Sequence, residues 1–586
     1  MPTLEWIGKD KVVNHHQQVP YRVLEAQYTH NAERSDNMII RGDNLEALKS
    51  LLPKYEGKIK CIYIDPPYNT GNEGWVYNDN VNDPKIKKWL GEVVGKEGED
   101  LSRHDKWLCM MYPRLKLLHK LLSDDGAIFI SIDDNEQANL RNLCDEVFGI
   151  SNFAAQIIWE KVYSPRMDET GFSTSHDYVL CYVKGNLGVI KKELFEQKKG
   201  QFNYLDEDTG KTYRRRSVRK EGSQSLRSDR PNLFYPLIAP DGTELYPIKP
   251  DGVEGRWRWA PETYKENCKN GLVEWVKTTT GWQVYAKQYV ETEAHRPPVT
   301  LWKCEEVGHN QSAAEELKAI FQGKVFDTPK PKELIQKIIS IVCDKDSVVL
   351  DSFAGSGTTA HAVLNMNKAD GGNRKFILIE MMDYADSITA ERVKRVIDGY
   401  TQDQEIVLYD EEITVSNLAQ GAELLEEAKT IAKEAKGKYS SVKKPTLDGN
   451  HLKVVAVNKA KDAVPGTGGD FTFYDLGEAL LLPNGNLNEN ISINKIREYV
   501  YYMETKEALA KVGNGNLYFM GNSSGTAYYF YYEKEAITTL DYDFLATIPE
   551  RADGYIIYAD LCTIPAEELA KHSITFKKIP RDIAKL

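Results

Sequence analysis

The stretch Cys61-Ile-Tyr-Ile-Asp65-Pro66-Pro67-Tyr68-Asn69-Thr70-Gly71 decides the fold of this chain. Its first residues are apolar and β-prone, which predicts a strand buried on both faces of a parallel sheet. Pro66 and Pro67 fix φ and lack an amide hydrogen, so the strand must end at Asp65. Open α/β sheets bind ligands beyond the carboxyl ends of their strands. The stretch therefore predicts a rigid binding loop at one such end.

This loop presents a carboxylate at Asp65, a backbone carbonyl at Pro66 and an aromatic ring at Tyr68. Pro67 stiffens the chain between them. The two oxygens can accept hydrogen bonds from an NH₂ group while the ring stacks on a flat partner. The loop thus suits a planar heterocycle with an exocyclic amine. An ordinary junction between a strand and a turn is the alternative interpretation.

A second stretch, Ser347-Val-Val-Leu-Asp351-Ser-Phe353-Ala354-Gly355-Ser-Gly357-Thr358-Thr359, predicts a strand, a tight turn and the start of a helix. Gly355 and Gly357 allow the backbone to approach a ligand and expose amides at the helix start. The next predicted strand ends at Glu380, about 20 residues further on, which is the spacing of a carboxylate that holds ribose hydroxyls. No lysine follows the glycines as in a P-loop, so the pattern favours an adenosyl ligand without phosphates.

Strand-like and helical segments alternate around both stretches, which predicts a doubly wound α/β sheet with right-handed crossovers. The runs 155–159 and 177–183 are expected to finish one edge of that sheet. The polar segment 70–105 is expected to be a lid beside the site. The predicted division is a catalytic half at residues 1–184, an insert at 185–305, a cofactor half at 306–400 and a small α+β domain at 401–586 that includes the run 471–482.

The insert concentrates positive charge and aromatic rings. Arginines interleaved with tryptophans are typical of a surface that grips phosphates and stacks on bases. The alternative is a solvated basic face with core tryptophans at strand spacing. We expect DNA contact from Arg214, Arg215, Arg216, Arg219, Arg227, Arg230, Arg256, Trp257, Arg258 and Trp259.

The composition is that of a globular protein with several domains. The chain has 586 residues, of which 41% are hydrophobic and 28% charged, and its formal net charge is −12. That charge argues against a protein coated in nucleic acid but allows a local basic groove. The eight cysteines include no Cys-x-x-Cys pair, which favours reduced thiols in a cytoplasm over a zinc site. No signal peptide and no apolar run of about 20 residues is present, so no membrane span is expected.

The two stretches together resemble the amino-group DNA methyltransferases. Asp65-Pro66-Pro67-Tyr68 looks like their catalytic motif, and Phe353-Ala354-Gly355-Ser-Gly357 looks like their S-adenosylmethionine motif. The catalytic motif comes first and the basic insert lies between the two, an order similar to the permuted β class. Further segments resemble the modification subunits of type III restriction-modification systems: Trp6-Ile-Gly-Lys-Asp-Lys-Val-Val-Asn-His-His16, Tyr112-Pro-Arg114, Arg256-Trp-Arg-Trp259 and Phe576-Lys-Lys-Ile-Pro-Arg-Asp582.

This resemblance implies a Rossmann-like S-adenosylmethionine-dependent methyltransferase core with an inserted target-recognition domain. It implies methylation of adenine N6 in double-stranded DNA after base flipping. Asp rather than Ser opens the catalytic motif, which favours adenine N6 over cytosine N4, the nearest alternative. The cofactor contacts implied or expected are Asp43, Thr328, Lys330, Pro331, Asp351, Phe353, Ala354, Gly355, Gly357, Thr358 and Glu380. For Asp43, capping of the following helix is the competing interpretation.

The resemblance also implies partners. A homodimer and a restriction subunit with helicase and nuclease activities are expected, with the C-terminal domain in contact with one of them. The chain lacks a Walker-type motif, so ATP-driven cleavage would need a partner. A stand-alone adenine methyltransferase, a nicotinamide-dependent dehydrogenase and a non-catalytic DNA-recognition subunit are the other functions that these patterns leave open.

Overall fold

The computed structural model describes residues 4–70, 103–164, 171–195, 199–290, 295–414, 417, 420–448, 450–482, 484–510, 517–549, 551–580 and 583. Most of the expected lid, 70–105, lies outside these ranges. The chain forms two compact units, one made of Met1–Lys191 and Val299–Leu586 and the other of Lys192–Pro298. Among the described helices, none combines the length and the apolar character that a membrane crossing needs.

A ten-stranded sheet forms the framework of the larger unit. Its strands, in chain order, are β1 Arg22–His30, β2 Met38–Arg41, β3 Ile59–Ile64, β4 Leu122–Ile132, β5 Phe153–Glu160, β6 His176–Val183, β7 Leu301–Trp302, β8 Val348–Asp351, β9 Lys375–Glu380 and β10 Phe471–Ala479. They lie in the order β1-β10-β2-β9-β8-β3-β4-β6-β5-β7. The predicted α/β sheet is therefore confirmed.

The centre of this sheet is parallel and its edges contain antiparallel pairs. Strands β10, β2, β9, β8, β3 and β4 run in one direction. Strand β6 pairs antiparallel with both β4 and β5, so the two runs expected to finish this edge do so. At the other edge β1 pairs antiparallel with β10. The carboxyl ends of β3, β8, β9 and β4 consequently meet at one edge of the sheet, where α/β proteins bind ligands.

Both faces of the sheet are buried, and alternate residues of β3 divide between them. Ile62 and Ile64 face one apolar cluster, whereas Cys61 and Tyr63 face the other. This alternation follows from the two-residue period of a strand. The first cluster is covered by helices Asn44–Tyr55, Arg103–Leu121 and Gln137–Phe148, and the second by Asn310–Phe321, Lys332–Val342, Thr358–Asp370 and Glu391–Asp398.

Strand β10 corrects the predicted division of the chain. The run 471–482 was expected in a separate C-terminal domain, but Phe471–Ala479 lies between β1 and β2 in the large sheet. Phe471 and Phe473 are buried in the second apolar cluster. Thr472 of β10 pairs with Met38 of β2, 434 positions earlier, and such a strand has no local signal because only tertiary pairing fixes its position.

The remaining C-terminal elements form smaller sheets. Strands Gly399–Glu412 and His451–Pro465 form an antiparallel pair that packs on helix Gly421–Glu434. Short strands lie at Ser441–Val442 and Thr446–Asp448. A four-stranded sheet contains Phe519–Ser523, Thr526–Phe530, Gly554–Ala559 and Ile574–Lys578, and Thr539–Leu540 pairs with Leu561–Cys562. Among its described residues, the larger unit also contains helices Lys9–Val12, His15–Gln18, Cys304–Val307, Ile493–Thr505, Tyr542–Ala546 and Ala566–Lys571. The tyrosines of the run 527–532 contribute to two apolar clusters, as expected for core residues.

The smaller unit is built on an antiparallel sheet. Its strands lie in the order Val273–Thr278, Gly281–Tyr289, Thr212–Ser217 and Tyr204–Leu205. Helix Pro261–Lys269 and the short strands Glu193–Leu194, Leu237–Ile238, Glu244–Leu245 and His295–Arg296 complete it. The predicted insert 185–305 encloses this unit.

Truncation of Phe473 to alanine tests the place of β10. The ring is buried and stacks on Tyr28 at a centroid distance of 5.2 Å. Removing it from a packed core should lower the free energy of unfolding of the larger unit by about 3–5 kcal/mol. Denaturant unfolding followed by tryptophan fluorescence measures this change. Ile537→Ala, at an exposed site, is the control. A loss below about 1 kcal/mol for Phe473→Ala would mean that β10 is not part of this core.

Candidate functional site

The loop after β3 is held in place by two buried side chains. The indole Nε1 of Trp107 donates a hydrogen bond of 2.7 Å to the carbonyl of Pro67. Asn69, whose φ of +58° places it in the left-handed region, donates from its side chain to the Glu136 carboxylate. Trp107, Asn69 and Glu136 are all buried. Because both ends of the loop are fixed, the orientation of Asp65 and Tyr68 is set before any ligand binds.

The glycine loop after β8 turns sharply into helix Thr358–Asp370. Gly355 and Gly357 have φ values of +51° and +80°, a region that glycine adopts without strain. A Cβ at Gly357 would lie 3.0 Å from the carbonyl oxygen of Thr389. The hydroxyl of Thr389 donates to the Gly355 carbonyl at 2.6 Å, which fixes the turn from behind.

Two buried acids bracket this turn. Asp351 accepts hydrogen bonds from the Thr359 hydroxyl at 2.5 Å and from the Phe353 amide at 3.0 Å. Glu380 accepts from the amides of Gly355 at 2.8 Å and Met382 at 3.0 Å. Burial raises the pKa of Asp351 and that of Glu380 to about 7, although these hydrogen bonds favour the charged forms.

The two loops line one cavity of about 370 Å³. Asp65, Pro66 and Tyr68 line it from the β3 side, and Phe353, Ala354, Gly355 and Thr358 line it from the β8 side. Thr328, Lys330 and Asp351 also reach it. The structure thus brings together most of the residues predicted from two sequence segments that are nearly 300 positions apart.

Five predicted site residues do not line the cavity: Asp43, Pro67, Pro331, Gly357 and Glu380. The Pro67 carbonyl accepts from Trp107, and Glu380 supports the glycine loop. Gly357 and Pro331 precede helices Thr358–Asp370 and Lys332–Val342 directly. The predicted contact of Glu380 with ribose hydroxyls stays a prediction.

Asp43 caps a helix, which was the competing interpretation for this residue. Its side chain accepts from the amides of Leu45 at 2.8 Å and Glu46 at 3.4 Å, and it lies 3.4 Å from the buried guanidinium of Arg114. Its predicted contact with cofactor adenine stays a prediction.

Two of the lining residues form an ion pair. The Nζ of Lys330 is 2.6 Å from Oδ2 of Asp65 and 5.0 Å from the centroid of the Tyr68 ring. Burial and the nearby Asp65 charge raise the pKa of Tyr68 well above its usual value. In the described part of the chain, neither Asp65 Oδ1 nor the Tyr68 hydroxyl has a hydrogen-bond partner, although both are buried. These groups are therefore ready to bond to a ligand.

The far side of the cavity contains residues that the sequence did not single out. Asp133, Lys161, Asp177 and Asn310 line it. Lys161 Nζ lies 2.6 Å from Oδ1 of Asp177, and burial raises the pKa of Asp177. Asp133 follows a buried strand, which was a usable signal. The other three carry no such local pattern.

The basic residues of the smaller unit are not equally available. Arg216, Arg227 and Arg230 are exposed. Arg214 donates to Gln288 and Gln201, and Arg219 donates to the Ile248 carbonyl. Arg227 pairs with Glu254 at 2.9 Å.

For Arg256 and Trp257 the structure corrects the expected DNA contact. Both side chains are buried: Arg256 donates to the backbone carbonyls of Gln224 and Trp257, and the Trp257 indole donates to the Tyr235 carbonyl. Arg258 and Trp259 are half-buried: Arg258 donates to the Ser217 carbonyl at 2.7 Å, and Trp259 packs against the same core as Trp257.

Arg215 is half-buried and its guanidinium forms two hydrogen bonds with Glu274, and its predicted DNA contact stays a prediction. This pairing compensates its charge. Because Trp257 is buried, the competing interpretation of core tryptophans at strand spacing holds for part of the run Arg256-Trp-Arg-Trp259.

A parallel sheet with a glycine loop and a carboxylate-bearing loop at adjacent strand ends is the arrangement with which open α/β proteins bind ligands. The N6_N4_Mtase family model, described as DNA methylase, matches residues 59–391. The chain belongs to this family of DNA methylases.

Curated relatives agree with this assignment. The Mod subunit of the type III enzyme EcoPI from Escherichia phage P1 is 35% identical over 64% of this chain and 63% of its own length. The type II methyltransferase M.KpnI of Klebsiella pneumoniae is 36% identical over 59% of this chain and 81% of its own length. The chain therefore spans somewhat less than two thirds of the EcoPI subunit.

One solved structure is similar in part. The PvuII DNA methyltransferase, described as cytosine-N4-specific, matches 61% of this chain and 86% of its own length, with 13% identity and a TM-score of 0.31. A score this low supports no argument about the target base.

The raised pKa of Glu380 makes a prediction about stability. Between its usual value of 4.5 and about 7 the native state retains a proton that the unfolded chain has lost. Glu380 therefore makes folding less favourable as the pH rises through this range, by about 3 kcal/mol in total. Glu380→Gln should reduce this dependence of the free energy of unfolding on pH, even if the substitution also changes that free energy by the same amount at every pH. Urea unfolding of both proteins at a series of pH values measures it, and equal slopes would contradict the prediction.

Proposed function

We propose that this chain is a site-specific DNA methyltransferase that transfers a methyl group from S-adenosylmethionine to N6 of a flipped adenine. The observation that supports this most strongly is the single cavity lined by both Asp65-Pro66-Pro67-Tyr68 and the glycine loop. Membership of the DNA methylase family supports the reaction class.

The glycine-loop side of the cavity suits S-adenosylmethionine. Phe353, Ala354, Gly355 and Thr358 line this side without a phosphate-binding lysine. The whole cavity, with a volume of about 370 Å³, is within the usual range of small-molecule sites. S-adenosylmethionine supplies a methyl group on a sulfonium sulfur. The chain has to exclude water from this side and align the acceptor amine with that methyl group.

The Asp65 side of the cavity suits an exocyclic amine. Asp65 Oδ1 and the Pro66 carbonyl would accept the two hydrogens of N6, while the Tyr68 ring stacks on the base. These contacts favour a tetrahedral nitrogen, whose lone pair is available for attack, and the negative charge of Asp65 stabilises the positive charge that develops there. Because N6 is paired and stacked in a duplex, the base must first leave the helix.

The names of several relatives support a proposal about partners. Several are called Mod subunits of type III restriction-modification enzymes. We therefore propose that this chain is such a subunit, acts on double-stranded DNA in a bacterial cytoplasm, and assembles as a homodimer with a restriction subunit. The exposed arginines of the smaller unit would contact phosphates during target recognition.

Digestion of DNA treated with the purified chain and labelled S-adenosylmethionine tests the proposed reaction. N6-methyldeoxyadenosine is the expected labelled nucleoside. N4-methyldeoxycytidine would assign cytosine as the target, and the absence of label in DNA would refute the methyltransferase assignment.

Replacement of Asp65 by alanine should remove methyl transfer. Loss of the acceptor and of its charge should lower the single-turnover rate by at least about 10²-fold. Binding of DNA and of S-adenosylmethionine should change by less than roughly threefold, because neither depends mainly on this carboxylate. Asp124→Ala, at a side chain that is 97% exposed, is the control. An active Asp65→Ala enzyme would remove Asp65 from the reaction.

Charge reversal at Arg216 and Arg230 should weaken DNA binding and reduce its dependence on salt. Each lost phosphate contact lowers the slope of log K against log salt by about 0.9. The double variant Arg216→Glu/Arg230→Glu should therefore lose close to two units of slope in fluorescence anisotropy titrations. Arg34→Glu, an exposed arginine of the larger unit, is the matched control. An unchanged slope in the double variant would place the DNA-binding surface elsewhere.

A further inference from the structure

We propose that Lys330 is a positioning residue for Asp65 rather than a cofactor contact. Its ammonium group holds one carboxylate oxygen so that the other faces the target amine. This inference rests on the proposed methyltransferase function and assigns Lys330 a role in the same site.

Neighbouring residues fix the position of Lys330. Lys330 lies between two prolines, Pro329 and Pro331, which restrict its backbone. Its carbonyl oxygen accepts a hydrogen bond of 3.2 Å from the Thr358 hydroxyl, at the first residue of the helix that follows the glycine loop. Its side chain is only 12% exposed. Lys330 therefore connects the cofactor loop to the catalytic loop directly.

The two oxygens of the Asp65 carboxylate differ in their hydrogen bonding. Oδ2 accepts from Lys330 at 2.6 Å, whereas Oδ1 is buried and has no hydrogen-bond partner in the described ranges. A buried acceptor left without a partner costs free energy unless a ligand completes it. Methyl transfer to an amine requires one oxygen of Asp65, and the structure leaves one oxygen available.

Several carboxyl groups line the cavity. Its lining includes the carboxyl groups of Asp65, Asp133, Asp177 and Asp351. Like charges this close oppose one another, and the Asp65 charge contributes to the raised pKa of Asp351. Lys161 pairs with Asp177, so in the described structure Lys330 is the cation that pairs with Asp65.

The contact with a single oxygen of Asp65 favours a lysine over an arginine at position 330. An ammonium group is a compact donor that can bond to a single oxygen. The planar fork of an arginine tends to engage both oxygens of a carboxylate. It would thereby occupy Oδ1, the oxygen that the substrate amine requires.

Replacement of Lys330 by alanine, followed by chemical rescue, tests this role. The single-turnover rate of methyl transfer should fall by about 10²-fold, while binding of S-adenosylmethionine and DNA stays within roughly threefold. Added propylammonium should restore at least about tenfold, because it can donate to Oδ2. Tetramethylammonium has the same charge but no donor, and it should restore nothing. Lys324→Ala, in the same segment but 74% exposed, is the matched control.

Several outcomes would overturn the role of Lys330. An undiminished rate in Lys330→Ala would mean that Asp65 needs no such partner. A loss explained by weaker S-adenosylmethionine binding would return Lys330 to the cofactor contacts. Equal rescue by both cations would reduce its role to charge alone.

A crystal structure of Lys330→Ala gives a result that does not depend on activity. The Asp65 carboxylate should rotate or occupy more than one orientation in this variant. An orientation identical to that of the unsubstituted protein would overturn the proposal. This result stands even if the unsubstituted protein proves to methylate no DNA, a finding that would refute the proposed function separately.

Discussion

The site depends on the pairing of β8 with β3. Val349 and Leu350 pair in parallel with Cys61 and Ile62, in the middle of a sheet that is buried on both faces. Because the two strands run in the same direction, the loops that follow them leave the sheet at the same edge. This backbone pairing places the carboxylate of Asp65 beside a glycine turn that lies nearly 300 positions later in the chain.

Hydrogen bonds hold each loop in the geometry that the pairing creates. On the β3 side, Trp107 fixes Pro67. On the β8 side, Glu380 and Thr389 fix Gly355 from two directions. Arg392, which is fully buried, donates to the hydroxyl of Thr358 at 2.7 Å. Such supporting contacts allow a site to be rigid before its ligands bind, which is what alignment of two reactants requires.

Local pattern predicted the parts of the site that local chemistry dictates. The prolines after Asp65 end a strand, and the glycines after Phe353 permit a turn, so both loops can be predicted from the sequence. The pairing of Lys330 with Asp65 cannot be predicted in this way, because it joins residues far apart in sequence through the tertiary fold. For the same reason β10 carries no sign that it completes a distant sheet. Arg256 and Trp257 were misassigned because alternation of arginine and tryptophan fits a basic surface and a buried edge equally well.

The central claim is that one cavity holds both the methyl donor and the target amine. A crystal structure of the protein with S-adenosylhomocysteine, the demethylated product of the donor, tests it most directly. The ligand should lie against Phe353, Gly355 and Thr358 with its sulfur directed towards Asp65. A ligand bound elsewhere, or one whose sulfur points away from Asp65, would contradict the claim.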